Sequence, residues 1–317
     1  MGLTVQPAGA ASKPVPRTPA MRFDDRVAIV TGARRLSQGI GRALAQRGAT
    51  VFVSDSRRSA PEAAREIAAT GGRLLAVPFD VADPAQAVAL AQTAVCGFGR
   101  IDVVVNCADA VTEAGKESDA GARLAVAWQV TVSGAFNVLQ AAWPAMTAHG
   151  FGRVVNVGAW LDPPEPQRAL DLAAAVAQCG LAGMTRALAA AGAEHGIAVN
   201  GLLPVSAEMR PQAASCWRDG ATVVPASVWL AHEDCPARGR FILAGPRQLA
   251  EAYTSAAAGY QCPVPAEFSA EHVRAHWPTV SSAAGSLAPT SSAEYNAFRV
   301  AIYEAVVTKP AATLATQ

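Results

Sequence analysis

A chain of 317 residues, 51% hydrophobic and only 16% charged, can bury a large core and fits either one large α/β domain or two small ones. Its formal net charge of +1, with no Lys/Arg run, removes the electrostatic basis for holding nucleic acid or an anionic membrane surface. Cys96, Cys107, Cys179, Cys216, Cys235 and Cys262 show no paired close spacing, which argues against a zinc knuckle or a disulfide framework and fits reduced thiols in a cytoplasmic protein.

Residues 1–20 mix Pro, Ala, Ser and Thr without the apolar run of a secretory signal, so they are expected to be disordered, with order beginning near Met21. From there strands and helices alternate. VAIVT (Val27 to Thr31), TVFVS (Thr50 to Ser54), LLAVPF (Leu74 to Phe79), IDVVVN (Ile101 to Asn106), RVVNV (Arg153 to Val157), IAVNGLL (Ile197 to Leu203) and GRFIL (Gly239 to Leu243) are short apolar β runs. Helical patterns lie around Gly41 to Arg47, over Ala60 to Thr70, over Pro84 to Cys96 and over Arg123 to Ala148. Continuous apolar strands separated by helices predict a parallel sheet covered on both faces. The expected architecture is α/β: a Rossmann-type, doubly wound sheet of about seven strands over residues 21–245.

Ala169 to Ala193 is a further helix, Ala-rich and apolar on more than one face, with only Asp171 and Arg186 charged. Its uncharged part is shorter than the roughly 20 apolar residues that cross a bilayer. It reads as a core helix with a second face buried against a partner subunit. Beyond Gly245 the sheet is expected to end. Residues 246–317 form a helical extension, with helices over Gln248 to Ala258, Ala270 to Trp277 and Ala293 to Val307.

Ligands of such a sheet lie outside the carboxyl ends of its strands. After the first strand comes TGARRLSQGIGRA, with Gly32, Gly39 and Gly41 in a turn entering a helix, where backbone N–H groups can approach a pyrophosphate. Asp55, at the end of the second strand, stands where an acid binds a ribose 2′-hydroxyl, although Arg57 and Arg58 behind it leave a phosphate-tolerant reading open, as does a plain turn role.

RFDDRVAIVTGA, the Asp80-Val81 pair, GRIDVVVNCAD, GRVVNV and the Asn200 to Pro204 segment resemble successive landmarks of the short-chain dehydrogenase/reductase family. Within it, FNVLQAAWPAM, GFGRVVNV, VWLAHEDCPARGRFILAG and AEFSAEHVRAHW are most similar to the (3R)-hydroxyacyl-CoA dehydrogenase part of peroxisomal multifunctional enzyme type 2 and its bacterial relatives. The resemblance implies a nicotinamide cofactor held at Gly32, Asp55, Asp80, Val81 and Asn106, and a tetrad of Asn, Ser, Tyr and Lys. A phenol of pKa about 10 needs a nearby ammonium and the cofactor's positive charge before it can move a proton at neutral pH.

This sequence departs from that pattern. Gly158 or Ala159 stands at the serine position, Ala174 at the tyrosine position, Gln178 at the lysine position and Thr131 at the asparagine position. No Tyr occurs before Tyr253. The family's TGxxxGxG turn is altered as well, either by an insertion or, with near-gapless alignment, by Leu36 and Gln38 in place of glycines. In the second case Gly39 and Gly41 sit inside the helix, and Arg34, Arg35 and Leu36 fill pyrophosphate space. Asp109 adds a carboxylate beside the nicotinamide region. Asp171, Asp162 and Glu165 are the nearby acids that would have to stand in for the lost proton donor, or are ordinary surface carboxylates.

Three further features bear on function. His272 and His276 share a helix face at metal-binding spacing, with no third ligand in sight, so no metal is expected. Trp143 reads as core, and Trp160 enters the substrate loop. No catalytic residue is therefore assigned, and NAD(H) binding is expected to be weak or absent. The expected role is that of a non-catalytic subunit in a hetero-oligomer with an active homologous dehydrogenase. Ala173, Ala177, Gly180, Leu181 and Met184 are expected to form the seam. An autonomous oxidoreductase or non-redox enzyme with relocated groups is the alternative.

Overall fold

The computed structural model describes residues 19–32, 35–54, 73–107, 119–158, 172–205, 222–245, 248–261, 269–289 and 292–307, which fall in two compact units, Met1–Glu251 and Ala252–Gln317. In chain order the first unit contains β1 (Val27–Thr31), α1 (Arg35–Ala45), β2 (Thr50–Ser54), β3 (Arg73–Val77), α2 (Pro84–Phe98), β4 (Val103–Asn106) and α3 (Ala120–Trp128). A π turn (Gln129–Ser133) leads into α4 (Gly134–Ala148), followed by β5 (Gly152–Val157), α5 (Leu172–Gly192), a 3₁₀ turn (Ala193–His195), β6 (Ile197–Pro204), α6 (Val223–Ala231), β7 (Phe241–Gly245) and β8 (Gln248–Ala252).

The eight strands form one sheet in the order β3-β2-β1-β4-β5-β6-β7-β8, with β1 through β7 joined by parallel pairings. Because successive side chains on a strand point to opposite faces, Ala28 and Val30 enter a core with α1 and α6, whereas Val27 and Ile29 enter one with α2 and α4. Burying both faces is what makes the strands apolar throughout. The order reverses between β1 and β4, so the crevice of this doubly wound sheet opens at their carboxyl ends.

Local signals fix the elements. α2 starts where the Asp83 carboxylate accepts from the Ala85 N–H, has proline at its first position, and stops at Gly99 in the left-handed conformation at φ 74°. The long helix expected over Arg123 to Ala148 begins at Ala120 and is interrupted by the π turn. α1 begins at Arg35, earlier than expected, and contains both Gly39 and Gly41.

The sheet has one strand more than the sequence suggested. Residues after Gly245 do not leave it: Gln248–Ala252, expected to be helical, lies as β8 along the free edge of β7. Pairing with that edge overrides the helix propensity of Leu and Ala.

α5 also differs from expectation. Its buried side is Ala173, Ala177, Leu181, Thr185 and Ala189. Ala173 and Ala177 pack with Ala127 and Val132 of the chain's own preceding helix, and Gly180 lies under Trp128, where a Cβ would come within 2.8 Å of the indole. Leu181 is 4% exposed, and Met184 packs on the sheet. The small residues therefore let helices of one chain approach, and the expected seam is wrong in detail. What faces outward is Leu172, 69% exposed, with Val176, Cys179 and Gly183. α5 is long and apolar enough to cross a membrane by composition, yet it connects β5 to β6, which are paired neighbours in one sheet.

The second unit holds an antiparallel bridge between Ala256 and Leu287 and two helices, α7 (Ala270–Val280) and α8 (Ser292–Val307). None of its described residues is buried.

Candidate functional site

The described tips of β1, β4 and β5 carry Thr31, Gly32, Asn106, Cys107, Asn156, Val157 and Gly158, none of them charged. They are tied to one another. The Thr31 hydroxyl accepts from the Cys107 N–H at 3.0 Å, and the Gly32 N–H, at φ 85°, donates to the Ser54 carbonyl at 2.7 Å. Across β4 and β5 runs a buried relay: the Asn106 amide donates to Asn156 Oδ1 (2.8 Å), the Asn156 amide to Thr185 Oγ1 (2.9 Å), and the Thr185 hydroxyl to the Leu181 carbonyl (2.7 Å). The relay pins α5 to the sheet directly beneath the crevice. Asn106 Oδ1, fully buried, has no described partner.

Of the residues expected to hold a dinucleotide, Gly32 and Asn106 are thus at the crevice floor, where Asn106 serves the relay. Asp80 organises the turn into α2, its N–H donating to Gln86 Oε1 and its Oδ1 accepting from the Ala82 N–H, both at 2.9 Å. Val81 is 8% exposed, wedged against Gly134, with its carbonyl held by the Asn137 amide at 3.1 Å. Asp55 lies outside the described residues, as do Arg34, Asp109, Ala159, Trp160, Asp162, Glu165 and Asp171.

Gly39 and Gly41 lie inside α1 against neighbouring side chains. A Cβ on Gly41 would meet Val53 at 3.0 Å and Leu74 at 3.2 Å, and one on Gly39 would meet Val224 at 3.2 Å. Both permit the close packing of α1.

Of the described positions expected to align with the family's tetrad, Gly158 and Gln178 meet. Gln178 reaches across to Gly158, its Oε1 2.7 Å from where a Cβ would be built. Ala174 lies one turn earlier on α5, half-buried, and Thr131 is 6% exposed inside the π turn. A π turn within an α-helix frequently marks a functional position. The described residues of the first unit include neither tyrosine nor lysine. An arrangement of amides and hydroxyls can orient a ligand through hydrogen bonds but offers no group that titrates as an acid–base catalyst near neutral pH.

Charge gathers instead at the amino ends of the strands. Asp102, 0% exposed, accepts from Arg26 at 3.0 Å, from Arg100 at 2.6 Å and from the Val27 N–H at 2.9 Å. Arg26 also reaches Glu233. Arg153 donates to four backbone carbonyls, those of Gly152, Gly196, His232 and Glu233; burial, with Arg238 and Arg26 nearby, lowers its pKa. Burial pushes the Cys235 thiol up. These are fold-holding contacts on the side opposite the crevice.

Among the described residues no group of three His, Cys, Asp or Glu converges on a metal position. His272 and His276 lie with ring planes within 9° and centroids 6.4 Å apart, and His276 stacks on Tyr260 at 3.8 Å. Trp143 is half-buried against the sheet. The sequence reading missed the Asn156–Thr185 relay and the Gln178–Gly158 contact. A polar residue inside the apolar run RVVNV was the available signal for the first, since a buried amide needs a partner.

The sequence profile described as short chain dehydrogenase matches residues 26–215. Peroxisomal multifunctional enzyme type 2 of Drosophila melanogaster is 28% identical over 245 residues, covering 70% of this chain and 39% of the relative, so the chain spans well under half of that protein. The full-length structure of that enzyme superposes with a TM-score of 0.72 over 90% of this chain and 50% of its own, at 21% identity. Peroxisomal multifunctional enzyme A of Dictyostelium discoideum is 27% identical over 92% of this chain and 67% of its own length. A short chain dehydrogenase from Mycobacterium avium superposes with a TM-score of 0.67 at 26% identity, over 83% of this chain and 98% of its own.

Proposed function

Since the chain belongs to the short-chain dehydrogenase family, we propose that it is a catalytically degenerate member, serving as a structural or regulatory subunit beside an active homologous dehydrogenase. The observation that carries this reading is the set of side chains at the four tetrad positions: Gly158 or Ala159, Ala174, Gln178 and Thr131 supply no serine, phenol, ammonium or asparagine. Losing general acid–base help forfeits about 10² to 10⁴ in rate, and the carbonyl-holding hydroxyl goes with it. The partner's substrate is a hydroxyacyl-CoA-like or related hydroxy/keto compound, by likeness to the peroxisomal multifunctional enzymes. Dinucleotide binding is weak or lost, because on the near-gapless reading Leu36 and Gln38 of α1 stand where the family keeps glycine.

Support for an assembly role comes from the outward side of α5. Leu172 at 69% exposure, Val176 at 37% and Trp128 at 44% are large apolar side chains on adjoining helices, with Cys179 and Gly183 beside them. A Cβ at Gly183 would touch nothing, so another helix can come close there. Stable interfaces bury about 800 Å² per partner around such an apolar centre.

Co-expression with active homologues, followed by size exclusion and dehydrogenase assay, is the test. A mixed oligomer is expected, with activity that falls when Leu172→Asp or Val176→Asp is introduced. Alone, the chain should neither oxidise 3-hydroxyacyl-CoA nor bind NADH saturably at low micromolar concentration. Turnover by the isolated chain would instead establish the autonomous-enzyme reading.

A further inference from the structure

The solvent side of a surface helix ordinarily carries Lys, Arg, Glu or Asp. α2, PAQAVALAQTAVCGF, carries no charged residue over its 15 positions, yet Val88 is 45% exposed, Val95 36% and Phe98 40%. The edge strand beside it continues the surface. Leu75, 44% exposed, is the register partner of Phe52, and the Phe52 ring meets Phe98 edge-on at 5.8 Å, so Leu75 and Phe98 flank one buried ring on the same side of the sheet.

The exposed positions are ordered. Ala87, Leu90, Ala91 and Ala94 face the core, and the opposite side reads Ala85, Val88, Gln92, then Val95 with Cys96, then Gly99. Steps of three and four residues make a straight stripe, the spacing of a two-helix seam. Gln92 is its midpoint and its only amide, and it has no hydrogen-bond partner among the described residues.

We propose that this stripe is a self-association surface, occupied by α2 of a second copy lying antiparallel, with Gln92 on the two-fold axis. In that register Gln92 meets Gln92 of the other copy, Val88 meets Cys96, and Ala85 meets Gly99. The stripe suits its own copy for three reasons. It brings no like charges together, because it has none. An amide carries both donor and acceptor, so two on an axis satisfy each other reciprocally, which a lipid surface could not do. The Gly97 and Gly99 end is open, a Cβ at either touching nothing, and leaves room where Ala85 of the other copy would arrive. A helix about 22 Å long contributes less than the roughly 800 Å² per partner of a standard interface, so the association is weak and concentration-dependent. It lies on a different helix from the α5 surface and does not rest on the proposed hetero-oligomer.

The full-length chain tests this directly. Under mild oxidation, Val88→Cys should give a covalent dimer through Cys96 of the other copy. The same protein with Cys96→Ser added should not, and neither should the unmodified chain through this helix. Gln92→Glu, which sets two carboxylates on the axis, should cut the crosslink yield of Val88→Cys about tenfold or more, with the circular dichroism unchanged. Three results would overturn the proposal: Val88→Cys crosslinking no better than the unmodified chain, equal crosslinking without Cys96, or indifference to Gln92→Glu. Recruitment of the chain to neutral phosphatidylcholine vesicles through Val88 and Phe98, in place of self-pairing, would overturn it as well. None of these outcomes bears on the effect of Leu172→Asp on partner binding.

Discussion

The two ends of the sheet are built from different chemistry. At the amino ends, Asp102 is held by two guanidinium groups and a backbone N–H, and Arg153 is held by four carbonyls. At the carboxyl ends of β1, β4 and β5, the described residues offer hydroxyls, amides and glycine, linked mainly to one another. Among the described residues, buried charge holds strands in register, and the tips of β1, β4 and β5, where doubly wound folds bind ligands, carry none. The contrast teaches that an intact scaffold and a working site are separable: nothing in the sheet's packing requires an acid or a base at its carboxyl edge.

Removing charge from the amino end should do the most damage. Asp102→Ala leaves Arg26 and Arg100 facing a buried void and should cost about 3–5 kcal/mol, measured by urea unfolding. If the loss is under about 1 kcal/mol, the amino end is not what holds the strands. At the carboxyl end, Asn156→Val strands the Asn106 amide and removes a donor to Thr185, and should cost about 1–3 kcal/mol. The double variant Asn106→Val with Asn156→Val should recover part of that, because replacing both partners with apolar groups removes the unsatisfied one. Equal losses in the single and double variants would show that the relay is not a unit.

Leu172→Asp sharpens the contrast between interior and exterior. At 69% exposure it should change stability by less than about 0.5 kcal/mol while abolishing partner binding, whereas Leu181→Asp, at 4% exposure, should unfold the chain outright. The smallest effect is at the start of α2. The Gln86 side chain and the Ala85 N–H hold the Asp83 carboxyl below its ordinary pKa. A lowered folded-state pKa contributes stability that is present above the unfolded pKa and is lost as pH falls through the folded one. Asp83→Asn should therefore lower stability slightly at neutral pH and converge on the unmodified chain in acid, flattening the acid limb of the stability profile, as followed by unfolding at stepped pH.

The strands were legible because burial on both faces leaves continuous Val/Ile/Leu runs, and each of the seven expected strands is present, shifted by a few residues at most. β8 was not legible. QLAEA has the composition of a helix, and only the open edge of β7 makes it a strand. The direction of α5's side chains was equally hidden. Apolar residues on several faces announce more than one neighbour, but periodicity cannot say which face meets the chain's own helix and which meets solvent, so nothing in the sequence places Leu181 in the interior of its own chain. At the site, the sequence announced Gly32 and Asn106 correctly as strand-tip residues, but the pairing of Asn106 with Asn156 joins positions distant in sequence and needed the β4–β5 register.

The π turn at Gln129–Ser133 carries one residue more than an α-helix would accommodate over the same rise. Upstream of it Trp128 covers Gly180, and downstream of it Gly134 and Asn137 meet Val81. Five residues wound as a π turn cover about the same rotation and rise as four in an α-helix, so the extra residue is absorbed on the spot and the phase of everything after it is kept. Deleting one of the five should therefore leave Trp128 over Gly180 and Asn137 on its carbonyl, while removing the bulged backbone that carries Thr131. This segment can shed a residue without rewriting the contacts on either side of it.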